Sequence, residues 1–338
     1  MAVLTRTNEV PPAVATWFDR ELLVRALPKL TFGRVAQRRP LPGKSGSTII
    51  FRRFEPFTVS LTPITEGTAS AGGTVTHTEV SVSIKQWGDW RALTDLVEAV
   101  VESPLLVEVT RLLAEQGGQT VDALMREAYS VGTNVFYGGN VAGRTQLVTI
   151  TEKVDESILQ RVIRGLARNN AAMYTDLIDA TNNYNTTPIR PAYLAVTTPE
   201  VVFTLEKLSG WVPVEKYAST GPVMDAEVGA YRNIRFLQTT QGKALLGGNG
   251  ANAASGDVKK TGNYADIHFI HVFGQDAVGT VPLSNMSFEN IIHPKGSGGP
   301  ADPMNQVGTS AWKRTGAELI LNDAFMARIE VTVGDVAP

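Results

Sequence analysis

The chain has 338 residues, 43% hydrophobic and 19% charged, enough for two domains or for one domain with large excursions, and too apolar for a disordered chain. A net charge of -2 leaves no global basic field for nucleic acid and no acidic tail, and the absence of cysteine removes disulfides, thiolate metal sites and thiol catalysis together. The opening MAVLTRTNEV lacks the apolar core of a signal peptide, and no segment is long and apolar enough to span a bilayer, so a reducing cytosol or a particle independent of redox chemistry fits the composition.

Residues 1–47 read as an arm. One short helical pattern covers Thr16–Leu27, with Trp17, Leu22, Leu23 and Ala26 apolar, between loops marked by Pro11-Pro12, Pro28, Pro40 and Pro42-Gly43. So few periodic apolar positions build no core of their own, and an arm of this kind needs a surface to lie on. Residues 48–88 read as a long extended hairpin. Thr74–Trp87 alternates, with Val80, Val82 and Ile84 opposite His77, Glu79, Ser81, Ser83 and Lys85. Thr48–Ser60 is rich in Ile49, Ile50, Phe51, Phe54, Phe57 and Val59 but alternates poorly, and Pro63–Gly73 makes a tip rich in glycine, threonine and serine. Two strands of about a dozen residues would project roughly 40 Å. A lone ribbon is marginal in water, and a neighbouring copy is the simplest support for it.

The stretch around which the rest is arranged runs from Ser103 to Gly139. Leu105, Leu106, Val109, Leu112, Leu113, Val121, Leu124, Met125, Ala128 and Val131 recur mostly at steps of three and four, which predicts a one-sided helix roughly 50 Å long. Ser103 and Pro104 suit its start, Gly138-Gly139 its end. Gly117-Gly118 reads as a bend or soft point; the alternative is two shorter helices meeting there. This spine belongs to a segment 89–152. Residues 153–295 read as a mixed α/β region, with helices over Asp155–Asn169 and from Thr198-Pro199-Glu200, strands at Tyr193–Thr197, Ile234–Thr239 and Ile267–Phe273, and a mobile loop at Gly242–Gly262. Gly296–Pro303 is a second linker. The segment 296–338 ends in a closing hairpin, Glu318–Leu321 and Phe325–Val333, set beside the spine.

Charge is unevenly placed. Residues 1–60 carry ten Lys/Arg against four Asp/Glu, net +6, and the remainder nets -8. Arg34, Arg38, Arg39, Lys44, Arg52 and Arg53 form a run without an acid; the span 89–127 nets -5 and includes Asp89, Asp95, Glu98, Glu102, Glu108, Glu115, Asp122 and Glu127. Opposite signs on separated segments suit docking between copies, and Arg34, Arg38, Arg39, Arg52 and Arg53, with Glu66 at the hairpin tip and Glu98, Glu102, Glu108 and Glu115 on the spine, are the expected inter-subunit contacts. Ordinary solvated faces are the plainer account of any one such run. No catalytic, metal or cofactor site is expected. His268 and His271 point to opposite faces of a strand, His77 has only Glu79 nearby, and no nucleophile elbow, zinc-helix motif or P-loop is present. Gly247-Gly248-Asn249-Gly250 lacks the frame of a dinucleotide site. Asp122 and Glu127 are five apart and mostly off one helix face, which does not suit paired acid and base work. Trp87 and Trp90, around Gly88-Asp89, are expected to pack at the corner where hairpin gives way to helix.

The order of parts resembles the major capsid protein of tailed phages, the HK-ninety-seven fold. The wording resembles the capsid family named after coliphage N-four: Leu41-Pro42 before Gly46 and Ile49–Arg53; Pro63-Ile64-Thr65-Glu66-Gly67; Gln86-Trp87-Gly88 leading to Leu93-Thr94-Asp95. Asp225, Glu227 and Gly229 precede Asn233-Ile234-Arg235-Phe236; Asp302-Pro303-Met304-Asn305-Gln306, Ala311-Trp312-Lys313, and Asn322 with Ala327-Arg328-Ile329-Glu330 follow. Trp87 stands where that family has tyrosine, and Asn233 where it has glycine. The resemblance implies an α+β subunit with N-arm, E-loop hairpin over a neighbour, peripheral domain with spine helix, and axial domain at 153–295. It implies hexamers and pentamers of an icosahedral shell around double-stranded DNA, assembled in a bacterial cytoplasm, not an enzyme, with no cofactor and no membrane. Scaffolding, portal and decoration proteins are further partners on this reading, scaffolding as a separate protein because no scaffold-like segment precedes the arm, and DNA contact is weak and non-specific. The alternative from the residues is a β-rich glycan-binding or hydrolytic module, which would need converging polar groups that the sequence does not offer. A third is a basic-strip nucleic-acid binder, known by steep salt dependence.

Overall fold

The computed structural model describes residues 30–334 apart from 45, 62, 64–65, 68–71, 96–104, 175–190, 218–223, 248–257, 285 and 296–302, and apart from the side chains of Leu105 and Leu106. The expected helix Thr16–Leu27, the spine start at Ser103-Pro104, and most of the linker Gly296–Pro303 lie outside the described residues.

The spine helix spans Leu105–Tyr129, 25 residues, about 37 Å at 1.5 Å per residue. It is shorter than its periodicity suggests. Val131 is exposed and past the end, and Val135–Tyr137 becomes a strand that pairs in parallel with Met326–Thr332. Sheet pairing ends the helix before Gly138-Gly139. The glycine pair Gly117-Gly118 does not interrupt it either. A β-carbon on Gly117 would stand 2.7 Å from the Phe288 ring and 3.2 Å from Trp312, and one on Gly118 would stand 3.2 Å from Leu30. The two glycines let a stacked aromatic pair, Phe288 on Trp312 with centroids 5.9 Å apart, lie close on the helix backbone. Packing, not bending, accounts for them.

Two sheets meet the spine. In the first, the 14-residue strand Val307–Ile320 carries Lys85–Thr94 along one edge and Phe288–His293 then Val278–Pro282 along the other, with Gln37–Arg38 outermost. Gln116 of the spine donates to Asp89 at 2.9 Å and accepts from the Trp312 indole at 3.3 Å, which ties helix to sheet. Lys85–Thr94 corrects the expected corner: the chain leaves the hairpin at Ile84 and runs as a ten-residue strand through Trp87 and Trp90. Arg314 covers the Trp87 ring at 5.7 Å, while Trp90 is exposed.

The second sheet has eight strands. In order they are Val135–Tyr137, Met326–Thr332, Ile267–Phe273, Tyr193–Thr197, Ile234–Gln238, Glu227–Tyr231 and Trp211–Pro213, with Ala244–Leu245 added beside Ile267–Phe273. Its inner strands are buried on both faces because both are covered. Tyr193, Ala195, Ile270 and Ile329 meet Ile158, Leu159, Val162 and Leu166 of the helix Glu156–Arg168, which Asp155 caps by accepting the Ile158 N–H. The opposite face, with Leu194, Val196 and Phe273, meets Met125 and Tyr129 of the spine. The expected closing hairpin is therefore not one: Val307–Ile320 belongs to the first sheet and Met326–Thr332 to the second, joined by a short turn at Asp323–Phe325. Adjacency in sequence and two apolar runs suggested pairing, but each run finds a longer partner elsewhere.

Part of the front segment also tucks onto its own chain, against the expectation that all of it needs another copy. Phe32 and Val35 are buried among Met125, Tyr129 and Phe273, and the buried Asp122 carboxylate accepts the Phe32 N–H at 2.9 Å. Leu41 is buried with Val281 and Leu319.

Two outcomes test this packing. At Gly138 a β-carbon would fall 1.8 Å from the Glu152 carbonyl oxygen, inside the capping turn Thr149–Glu152. Gly138→Ala is expected to cost about 3 kcal/mol, since backbone rather than a side chain has to move, read from the urea midpoint. His271 is buried, stacked on Phe273 with centroids 6.1 Å apart and bonded to Ser130 at 3.1 Å. Burial, with Arg328, Lys243 and Arg126 nearby and Glu127 opposing, lowers it to about 3. Unfolded histidine titrates near 6.5, so below that the unfolded chain takes a proton the folded chain refuses. Stability is full above about pH 6.5 and falls toward acid by up to about 1.4 kcal/mol per pH unit. His271→Gln is expected to flatten that slope between about pH 6.5 and pH 5 in urea titrations.

Candidate functional site

The hairpin forms a two-stranded sheet of its own, separate from the two larger sheets. Thr48–Phe54 pairs antiparallel with His77–Ser83, seven residues on each side rather than a dozen. Ile49, Phe51, Val80 and Val82 fall on one face and pack on Leu41, Val281, Leu283 and Leu319, so the ribbon base rests on its own chain. One carboxylate closes each face: Glu79 lies on the other face, with Arg52 and His77, and Glu55 continues the face of Phe51 and Val80, beside Arg53 and Thr78. Glu79 accepts from Arg52 at 2.6 Å and faces His77 at 3.2 Å; Glu55 accepts from the Thr78 hydroxyl at 2.6 Å and from Arg53 at 3.3 Å. The Thr78 hydroxyl and Arg53 hold Glu55 below the ordinary glutamate range, and Arg52 does the same for Glu79. Beyond this clasp residues 55–61 are assigned to no helix or strand, and Phe57 (72%), Val59 (78%) and Leu61 (89%) are largely exposed to solvent, as is Val75. So many large apolar groups on one stretch mark a surface awaiting cover.

The expected contact residues fall in three groups. Arg34, Arg52 and Arg53 are held within the chain, by Asp225 (3.3 Å), Glu79 and Glu55. Arg38 and Arg39 are exposed, and Arg39 lines a 510 Å³ cleft between the hairpin base and the body, with Ile50, Asp276 and Phe325. Glu66 is exposed in the turn at the tip. Glu108 and Glu115 share Arg111 along the spine at 3.7 and 3.5 Å. Glu98 and Glu102 lie outside the described residues. The structure thus brings three of the arginines to acids of their own chain.

Sets of solved structures share this architecture. The capsid of Ralstonia phage GP4 superposes with a TM-score of 0.65 at 14% identity, over 100% of both chains. The capsid of cyanophage P-SCSP1u gives 0.61 at 15% identity over 95% of this chain and 93% of that one. The head of Helicobacter pylori bacteriophage KHP40 gives 0.62 at 11% identity over 98% and 97%. The fold is that of phage capsid proteins. No family model and no curated protein matches the chain.

Within the capsid fold, the sequence reading missed the apolar tip as a site, although Phe57-Thr58-Val59-Ser60-Leu61 alternates strictly. That period-two signal sits just past the irregular stretch around Arg52-Arg53. It also missed the acids that hold the basic run, because Asp225 is distant in sequence and Glu79 lies across the ribbon. His268 and His271 do point to opposite faces: His268 bonds the Thr198 hydroxyl at 2.9 Å, His271 the Ser130 hydroxyl.

Proposed function

We propose that the chain is the major capsid protein of a tailed phage, assembling into hexamers and pentamers of an icosahedral HK-ninety-seven-type shell around double-stranded DNA. The observation that carries this is the exposed apolar row Phe57, Val59 and Leu61 just past the ribbon, in a chain superposable end to end on phage capsid structures. In this reading the ribbon is the E-loop, and its tip is covered by a neighbouring copy. The spine and the sheet of Val307–Ile320 form the peripheral domain, and residues 153–295 supply most of the axial domain. The subunit's place is the virion; portal, decoration and separate scaffolding proteins complete the assembly in the host. Arg38, Arg39 and Glu66, which are exposed, are the charged groups that would meet a neighbouring copy. Negative-stain electron microscopy of the expressed protein, alone and with its phage cofactors, tests the reading. Closed shells of uniform size are expected; a monodisperse monomer under every condition would overturn it.

A further inference from the structure

A second cationic surface lies far from the arm. The outer face of the helix Glu156–Arg168 carries Gln160, Arg164 and Ala167, and the turn Arg232-Asn233 faces it across a groove of about 470 Å³ floored by Ile163. Arg164 and Arg232 are exposed, no carboxylate lines the groove, and among the described residues neither arginine pairs with an acid. Arg168, one turn further on, is exposed as well. Arg161 differs: it is held by Asn140 and lies over the Phe136 ring at 5.8 Å.

The turn itself presents one of these arginines. Tyr231 pairs with Ile234, so Arg232 is the first of two turn residues, and its φ is 51°. Glycine or asparagine suits such a position, and a long side chain is disfavoured there by contact of its Cβ with the backbone. The turn holds a guanidinium over the Tyr231 ring at 5.7 Å and at the mouth of the groove. Seven non-glycine residues among the described ones have positive φ, and Arg232 is the one that lines this groove.

The geometry points to a phosphate site: Arg164 and Arg232, with the Gln160 and Asn233 carboxamides, bind backbone phosphates of duplex DNA. This rests on the shell reading, which puts duplex DNA beside the subunit. Guanidinium forks match phosphate oxygens, and carboxamide N–H groups add neutral donors. An acidic surface of a second copy is the competing occupant. Among the described residues, the spine acids Glu108 and Glu115 are engaged by Arg111, Asp89 by Arg91 at 2.8 Å and by Gln116, and Glu127 by Arg126 at 2.8 Å and by Lys243, which leaves them less charge to offer such a groove.

The test is anisotropy of a short labelled duplex with the full-length protein between about 50 and 200 mM salt. Each phosphate left without its arginine should flatten the plot of log affinity against log salt by about 0.9, so Arg164→Gln with Arg232→Gly should reduce the slope by about 1.8. Arg232→Gly alone suits the turn, so a folding defect cannot explain its shallower slope. Curves that superpose on the wild type would overturn the site. Unchanged DNA binding with loss of shells in the same variants would assign the groove to a second copy and overturn it equally. Failure of the wild type to form shells in electron microscopy is the separate outcome that strikes the shell reading.

Discussion

Glu330→Ala is expected to destabilise the subunit by about 3–5 kcal/mol. Glu330 is fully buried in the central strand Met326–Thr332. It accepts both a 2.6 Å bond from the Arg144 Nε and a 2.6 Å bond from its terminal nitrogen, and pairs with the Arg328 Nε at 2.9 Å. Both guanidiniums also lie over the Phe269 ring, at 5.6 and 5.3 Å. The Glu330 bonds raise Arg144 above its ordinary range. Removing the carboxylate leaves two cations against one aromatic face, one of them with little access to water, and the penalty is that of an uncompensated charge rather than of a missing bond. Glu108→Ala, which removes one partner of a half-exposed pair along the spine, is expected to stay within about 0.5 kcal/mol. Urea unfolding of the two variants side by side checks the contrast.

The second large effect concerns assembly and not stability. Phe57→Asp with Leu61→Asp is expected to abolish shells while leaving the melting temperature of the free subunit nearly unchanged. Both side chains are exposed, so the fold loses nothing when they go. On a neighbour's surface each would contribute about 1.5–3 kcal/mol by burial, and a carboxylate in its place would have to be buried unpaired. The cost recurs at every copy around a closed shell. Sedimentation and negative-stain imaging read the outcome; shells of wild-type size and yield would show that the tip is not an interface.

How much of this was legible in the sequence depends on what each residue answers to. The helix Glu156–Arg168 and the strands Tyr193–Thr197 and Ile267–Phe273 were read correctly because their own periodicity agrees with the packing around them. The spine was read correctly in place and wrongly in length, since Val131 keeps the helical beat while the chain must already turn toward its pairing with Met326–Thr332. Gly117-Gly118 looked like a break because the aromatic stack that needs the space, Phe288 on Trp312, is some two hundred residues away. The C-terminal runs looked like a hairpin because nothing local says that each belongs to a different sheet. The contact site was half legible. Charge counting found the basic run but not Asp225, Glu79 and Glu55, which take up Arg34, Arg52 and Arg53. The apolar tip carried the better signal, in the simple alternation of Phe57, Val59 and Leu61.

The surface that asks for a partner is therefore narrower than the front quarter of the chain. Phe32, Val35 and Leu41 are buried on their own chain, and the ribbon base leans on Leu283 and Leu319. Electron cryomicroscopy of the assembled particle, traced through residues 55–61 and 72–76, puts the question most directly. Phe57, Val59 and Leu61 are expected within about 4.5 Å of apolar side chains from another copy, a contact distance for buried groups. The same residues folded back on their own subunit, or left in solvent in the closed shell, would contradict the account.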